Sequence, residues 1–337
     1  MASKPRIRLR AKILYAIILV ITVAGALVLA DRYLLLLFSQ TPDRETFLMG
    51  IYARPDTWED DVRINSMGFA EDVLSPEKPP GTLRVLCLGG SAFFNRNMAT
   101  RLKRKLQEQT DAPVEVLGGA LRTHNTRSSL IKYALLAKYD FDYVFIYHGI
   151  NDVAANHVPP EYFRDDYSHF NAWYVRGGLL EHSVIARVLY DRFCYETPVR
   201  KYQGSGFASR GTFYRNISLL VDAVRSNGSI PVIMTFAYNL PENYTHEGFL
   251  ESTVGYFNPE HYDAWPVELW GDPEYVKQCL DFHNDAIRRI ARGKNVPFID
   301  VEALMGKDLY WFGDVCHFSE PGTERFLQGL ADFWGRR

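Results

Sequence analysis

The sequence predicts an α/β fold behind one N-terminal membrane-spanning helix. Three observations carry this. Short apolar runs recur between longer stretches of helical periodicity, the alternation of a parallel sheet with crossover helices. Glycine pairs stand directly after the first two runs, at Gly89-Gly90 and Gly118-Gly119. An uncharged stretch, Ile13 to Ala30, follows a basic N-terminus.

Residues 1–12 carry Lys4, Arg6, Arg8, Arg10 and Lys12 and no acid, and read as a cytoplasmic basic tail. Residues 13–38 read as a transmembrane anchor. At 1.5 Å per residue, Ile13 to Ala30 alone reaches about 27 Å, close to the hydrocarbon thickness of a bilayer. A cleaved signal peptide is the rival, since Ala24-Gly25-Ala26 offers a small-residue cleavage pattern. The apolar stretch exceeds a signal core and resumes from Tyr33 to Phe38, which favours the anchor. Everything after it is then periplasmic or extracellular. Residues 39–82 read as a connector broken by Pro42, Pro55, Pro76, Pro79 and Pro80, with a short edge strand at Val62-Arg63-Ile64.

Residues 83–337 form the main domain. Its predicted strands are Leu83–Leu88, Val114–Leu117, Tyr143–Tyr147, Ile230–Phe236 and Val296–Val301. The predicted helices are Ala99–Gln109, Ser128–Tyr139, Thr212–Arg225, Pro273–Arg292 and Pro321–Trp334, the last with proline at a favourable early position. Hydrophobic residues make up 47% of the 337 residues, enough for a sizeable core. A net charge of −2 offers no basic face for nucleic acid. The four cysteines, Cys87, Cys194, Cys279 and Cys316, show no metal-ligand spacing, so a structural zinc site is not expected; no other metal or cofactor is implied. A Cys194–Cys279 disulfide is compatible with an oxidising compartment.

Four polar stretches follow strands or precede a helix, and loops after parallel strands share one edge of the sheet. Ser91 follows the first strand, and Gly119-Ala120 the second. Gly149-Ile150-Asn151-Asp152 follows the third, and Asp314-Val315-Cys316-His317 precedes the last helix. A serine hydroxyl needs a base to become a nucleophile, and His317 is the candidate. Asp314 would orient the imidazole. The Ser91 N–H, a backbone N–H at Gly119 or Ala120, and the Asn151 amide are candidate oxyanion donors. The plainer readings are helix caps at Asp314, His317 and Asp152, a turn residue at Asn151, and a packing residue at His148.

Gly89-Gly90-Ser91, Gly149-Ile150-Asn151-Asp152 and Asp314-Val315-Cys316-His317 together resemble three blocks of the SGNH (GDSL-type) hydrolase superfamily, over about Leu83 to Trp334. Asn65-Ser66-Met67-Gly68-Phe69 and Pro79-Pro80-Gly81-Thr82 resemble bacterial members found among surface-polysaccharide proteins. The resemblance implies a flavodoxin-like three-layer α/β/α sandwich with a parallel five-stranded sheet. It implies ester hydrolysis or acyl transfer through Ser91, His317 and Asp314, with Asn151 as an oxyanion donor. Gly90 stands where the family commonly has aspartate. The glycine donor of the second block falls at Ala120, with Gly119 beside it. The G-x-S-x-G elbow of α/β-hydrolases is missing around Ser91.

Two aromatic insertions interrupt the domain. The first, about 159–210, holds Tyr162, Phe163, Tyr167, Phe170, Trp173 and Tyr174. The second, 238–270, holds Tyr244, Phe249, Tyr256, Phe257, Tyr262, Trp265 and Trp270. They read either as satellite cores or as a lid that stacks on sugar rings or receives an acyl chain. Asn216-Ile217-Ser218, Asn227-Gly228-Ser229 and Asn243-Tyr244-Thr245 match the glycosylation pattern and read as chance matches. The expectation is a membrane-anchored, extracytoplasmic serine esterase acting on O-acyl groups of a glycan, with O-acetyl as one example. An O-acyltransferase or lipid esterase with the same residues, and a non-catalytic glycan-binding or polysaccharide-assembly subunit, are the alternatives.

Overall fold

The computed structural model describes residues 4–39, 52–53, 55–59, 61–158, 163–169, 185, 206–257 and 264–336. The chain divides into two compact units, Met1–Leu48 with Asn171–Glu196, and Met49–Phe170 with Thr197–Arg337. In the first unit, helix α1 (Lys4–Ser39) runs unbroken through Asp31 and Arg32. Its segment Ala11–Tyr33, with a mean hydropathy of 2.8, is long and apolar enough to cross a membrane. Asp31 accepts a hydrogen bond from the Ile185 N–H (2.8 Å).

The second unit is built on a six-stranded sheet. Its strands are β3 (Ala70–Glu71), β4 (Leu83–Gly89), β5 (Val114–Gly118), β6 (Tyr143–Tyr147), β7 (Ile230–Met234) and β8 (Phe298–Ile299), in spatial order β3-β5-β4-β6-β7-β8. The five expected strands are mutually parallel. Strand β3, from the stretch read as connector, adds an antiparallel edge. The two remaining strands, β1 (Trp58–Glu59) and β2 (Val62–Arg63), form a separate antiparallel pair. Val62-Arg63-Ile64 is therefore not a simple edge of the main sheet; only Ile64 reaches it, bridging to Ala70. Asn65 closes the turn between them, its Oδ1 accepting from the Met67 and Phe69 N–H groups (2.8 and 3.2 Å). Gly68 supplies the left-handed φ of +79°.

Both faces of β4 are covered, which is why its run is apolar without alternation. Val85 and Cys87 join one core with Leu102, Leu106, Phe326 and Leu330. Leu86 and Leu88 join the other with Leu136, Leu220, Val224 and Ile287. These residues belong to α3 (Met98–Gln107) and α10 (Glu320–Gly335) on the first face. On the second they belong to α4 (Thr126–Leu136), α6 (Ser209–Ser226) and α8 (Pro273–Lys294). The result is the three-layer sandwich.

Side chains set the element ends. Asn125 caps α4, Asp272 caps α8 and Ser319 caps α10. Strand β8 is shorter than Val296–Val301 because Asp300 leaves the sheet to cap α9 (Val301–Met305). Strand β7 stops at Met234 because Thr235 Oγ1 turns to Asp300 (2.8 Å) and the Phe236 N–H to Asn284 (2.7 Å). Cys279 is a buried free thiol among the described residues; Cys194, the other half of the expected Cys194–Cys279 pair, lies outside them.

Candidate active site

Strand β4 delivers the chain to Gly90, and Ser91 opens the short helix α2 (Ser91–Phe94). The N–H groups of a first helical turn have no intrahelical acceptor, so that of Ser91 is available to a ligand. From the other end of the sequence comes a closed loop. Phe312 bridges Phe318, and the Gly313 N–H donates to the His317 carbonyl (2.8 Å). Asp314 and His317 are held inside this loop. Neither caps α10, because Ser319 does so.

The loop places His317 Nε2 2.8 Å from Ser91 Oγ and His317 Nδ1 2.7 Å from Asp314 Oδ2. Asp314 is fully buried. Its Oδ1 accepts from the Cys316 and His317 N–H groups (2.8 and 2.7 Å), and its Oδ2 from the Trp265 N–H (2.8 Å). A buried carboxylate so satisfied stays in place while the imidazole changes charge. Such a relay can take a proton from a serine hydroxyl and return it to a leaving group.

Asn151 lies in α5 (Ile150–Val153), just after β6. Its amide is fixed at both ends. Nδ2 donates to the His124 carbonyl (3.0 Å), and Oδ1 accepts from Trp270 Nε1 (3.2 Å). Nδ2 is close to the backbone before the serine, because a Cβ on Gly90 would lie 2.5 Å from it. In the second turn the Gly119 N–H is already spent on the Leu117 carbonyl (3.0 Å). No acceptor takes the Ala120 N–H among the described residues. Ala120 is outside the left-handed region, so alanine suits the position as well as glycine does. Leu121 N–H donates to the Gly89 carbonyl (3.3 Å), which ties this turn to the end of β4.

Residues 87–325, more than half of the chain, match the model of the GDSL-like Lipase/Acylhydrolase family. The chain belongs to that family. None of the curated proteins matches it. Among solved structures it is similar to an acetylxylan esterase from Geobacillus stearothermophilus, at 13% identity over 74% of this chain and 93% of that one, with a TM-score of 0.43. It is also similar to the lipase/acylhydrolase from Enterococcus faecalis (13% identity, 76% and 96% covered, TM-score 0.39). A third is an alpha/beta hydrolase enzyme from the metagenome of Lake Arreo, Spain (12% identity, 75% and 95% covered, TM-score 0.45). Members of the GDSL-like family are carboxylic ester hydrolases, and so is this chain by membership.

The other polar residues of the motifs have structural partners in this GDSL-like domain. His148 is buried, with Nε2 2.7 Å from Ser129 Oγ, and burial, aided by the Lys132 charge, lowers it to about 3. Asp152 is no helix cap. It accepts from the Thr126 N–H and Oγ1 (3.2 and 2.5 Å), and burial raises it to about 7. Asn216 of the first glycosylation match is buried and donates to Thr126 Oγ1 (3.0 Å). Asp314, Cys316 and His317 each offer a potential metal ligand, and those atoms lie within 4.8 Å of one another. They are poorly suited to a cation. Both Asp314 oxygens are committed, and burial and the Asp314 charge hold the Cys316 thiol well above its ordinary range, protonated.

The second insertion packs onto the site and also rims it. Trp270 is buried, while the Trp265 side chain stays exposed beside Ala264. A hollow of about 370 Å³, open to solvent, is lined by Ser91, Asn95, Arg96, Ala264, Gly313 and His317. Another of about 420 Å³ shares Ala264 and Gly313 with it and extends to Phe249, Val254 and Tyr256. Of the first insertion, Phe163 and Tyr167 are described; Tyr162, Phe170, Trp173 and Tyr174 lie outside the described residues, as does Tyr262 of the second. Sequence reasoning missed His124, Trp270 as a partner of Asn151, and the Trp265 N–H. Each acts across a distance in sequence that no local pattern records. It also missed Lys132, whose place on the inward stripe of α4 with Ser129, Tyr133 and Leu136 was a visible signal.

Proposed function

We propose that this protein is a membrane-anchored, extracytoplasmic serine esterase that removes O-acyl, foremost O-acetyl, groups from a glycan. The observation that carries the reading is the Ser91–His317–Asp314 relay, with its spacings of 2.8 and 2.7 Å. Ser91 Oγ attacks the ester carbonyl carbon while His317 Nε2 takes its proton. The tetrahedral oxyanion is met by the Ser91 and Ala120 N–H groups and by Asn151 Nδ2. The imidazolium, steadied by Asp314, then protonates the departing alcohol. Water, deprotonated by His317, releases the acid from the acyl-serine.

Two features support the finer parts of the reading. The exposed Trp265 indole follows Ala264, which lines the hollow at Ser91, and its flat apolar face suits the face of a sugar ring. The basic residues before Ala11–Tyr33 favour a cytoplasmic N-terminus and an enzyme held at the outer side of a membrane.

The test uses the full chain in detergent, with p-nitrophenyl acetate as substrate and a serine-directed fluorophosphonate as label. Turnover and labelling are both expected in the wild type and both lost in Ser91→Ala. Labelling that persists in Ser91→Ala, or a folded wild type with neither property, refutes the reading. Release of acetate from an acetylated polysaccharide, reduced in Trp265→Ala with p-nitrophenyl acetate turnover unchanged, checks the glycan part.

A further inference from the structure

Behind the turn after β5 lies a lysine that the relay does not use. Lys132, on α4, is fully buried. No carboxylate pairs with it among the described residues. Its Nζ instead donates to the Gly119 carbonyl and lies 2.7 Å from His124 Nδ1, over the Phe69 ring. An unpaired amine in a protein interior is costly, and an apolar residue of the same length would normally serve stability better. Burial pulls this amine well below the ordinary lysine range.

Its contacts join the two candidate donors that the serine itself does not supply. The Gly119 carbonyl and the Ala120 N–H belong to one planar peptide group and point in opposite directions. An amine that fixes the carbonyl therefore fixes the direction of the N–H. The neighbouring bonds, Gly119 N–H to Leu117 and Leu121 N–H to Gly89, hold the ends of the turn but leave this peptide plane to Lys132. The second contact is the His124 ring. The backbone carbonyl of the same residue accepts from Asn151 Nδ2 (3.0 Å). His124 also follows Thr123, a β-branched residue at a φ of +61°, so the loop is held in a conformation it would not choose alone.

We propose that Lys132 is the positioning residue of the oxyanion hole, setting the Ala120 N–H through the Gly119 carbonyl and the Asn151 amide through His124. It touches no reacting atom. The proposal rests on the serine-esterase reading and deepens it.

The experiment compares wild type, Ser91→Ala, Lys132→Met, Asn151→Ala and Lys132→Met/Asn151→Ala in the full chain, with p-nitrophenyl acetate. Methionine keeps the length and removes the donor. Misplacement of donors by a fraction of an ångström to 1 Å predicts a kcat lower by about 10- to 10²-fold in Lys132→Met, with KM within about twofold of wild type. The double variant is expected to fall below Asn151→Ala by less than Lys132→Met falls below wild type, because the part of the lysine's effect that passes through Asn151 is already lost. Affinity for phenylboronic acid, which presents a tetrahedral anion at the serine, is expected to fall in parallel with kcat. An unchanged kcat in folded Lys132→Met, a loss carried by KM, or a fully multiplicative double variant overturns the proposal. If Lys132→Met does not fold, His124→Gln is measured in the same way. A reduced kcat with KM preserved supports the proposal, and wild-type kinetics overturn it. Full activity in Ser91→Ala would instead overturn the esterase reading itself, so the two failures are distinct.

Discussion

Gly90→Ala tests the placement of the Asn151 amide without altering any group assigned to the chemistry. The backbone at Gly90 is extended (φ −100°, ψ −160°), so alanine brings no left-handed strain. What it brings is a Cβ at 2.5 Å from Asn151 Nδ2 and 3.1 Å from the His124 carbonyl oxygen. Unbonded heavy atoms rest at about 3.5 Å or more, so the amide must retreat by about 1 Å. It cannot do so along its present bonds, because His124 holds Nδ2 and Trp270 holds Oδ1. A displacement of this size costs about 10²-fold in rate, close to the loss of one oxyanion donor.

The assay is steady-state hydrolysis of p-nitrophenyl acetate by the full chain, with Tm measured alongside. Gly90→Ala is expected to lower kcat by about 10²-fold and to leave KM within about twofold. Asn151→Ala should lose a similar amount, and the double variant no more than Asn151→Ala alone, since the amide that Gly90 accommodates is then gone. A folded Gly90→Ala with kcat within about threefold of wild type would refute the reasoning. Asn151 would then yield without loss, and the close approach at Gly90 would not be what sets its amide.

Two further outcomes follow from the same neighbourhood. Trp270→Phe removes the indole N–H that holds Asn151 Oδ1; one neutral hydrogen bond is worth about 1 kcal/mol net, so kcat should fall about fivefold with little change in KM. The second concerns pH. His148 and His283, both held at about 3 by burial, take up protons in the unfolded chain but not in the folded one between about pH 6.5 and 3. Their contribution is complete above the unfolded value and lost as pH falls through that window. Asp152, raised to about 7, acts oppositely, its cost growing as pH rises from about 4 to 7. With two histidines against one carboxyl, Tm should fall as pH drops from 6 towards 4. His283→Gln should flatten that fall, and Asp152→Asn should steepen it; an unchanged slope in both would refute the assignment.

The interior of the sheet was legible because burial on both faces writes itself into composition. Leu83 to Leu88 is apolar nearly throughout, and every residue of the strand is buried. Strand ends were less legible, since they are decided by single side chains whose partners are far away. Asp300 shortens β8 by capping α9, and nothing in Val296–Val301 shows that it will. Strand β3 has two residues and no pattern of its own; its existence is set by pairing with Leu117 and Gly118. The candidate site side chains were legible for the opposite reason. Ser91, Asn151, Asp314 and His317 are polar residues placed where apolar runs end, and the sheet order brings such places together. Their supports were not, because Trp265 and His124 act through backbone atoms, which carry no residue-type signature.

The sheet order also explains why the proposed donors and the proposed base come from different kinds of segment. The chain lays β5 on one side of β4 and β6 on the other, so a crevice opens beyond the ends of β4 and β6. Ser91 and Asn151 follow those two strands directly, and the Ala120 turn follows β5. The strand ends are packed to contact: a Cβ on Gly89 would lie 2.7 Å from the Tyr147 carbonyl oxygen, and one on Gly149 2.4 Å from Phe236 Cγ. The donors proposed on such ends are held in place by this packing, as stabilising a short-lived anion would require. The imidazole has a different task, since it must receive a proton from one atom and deliver it to another. It is carried on the Asp314–His317 loop, fastened by the Phe312–Phe318 bridge, with its freedom limited by one buried carboxylate. The candidate donors thus sit on packed strand ends, while the imidazole bridges two side chains, Asp314 Oδ2 on one nitrogen and Ser91 Oγ on the other.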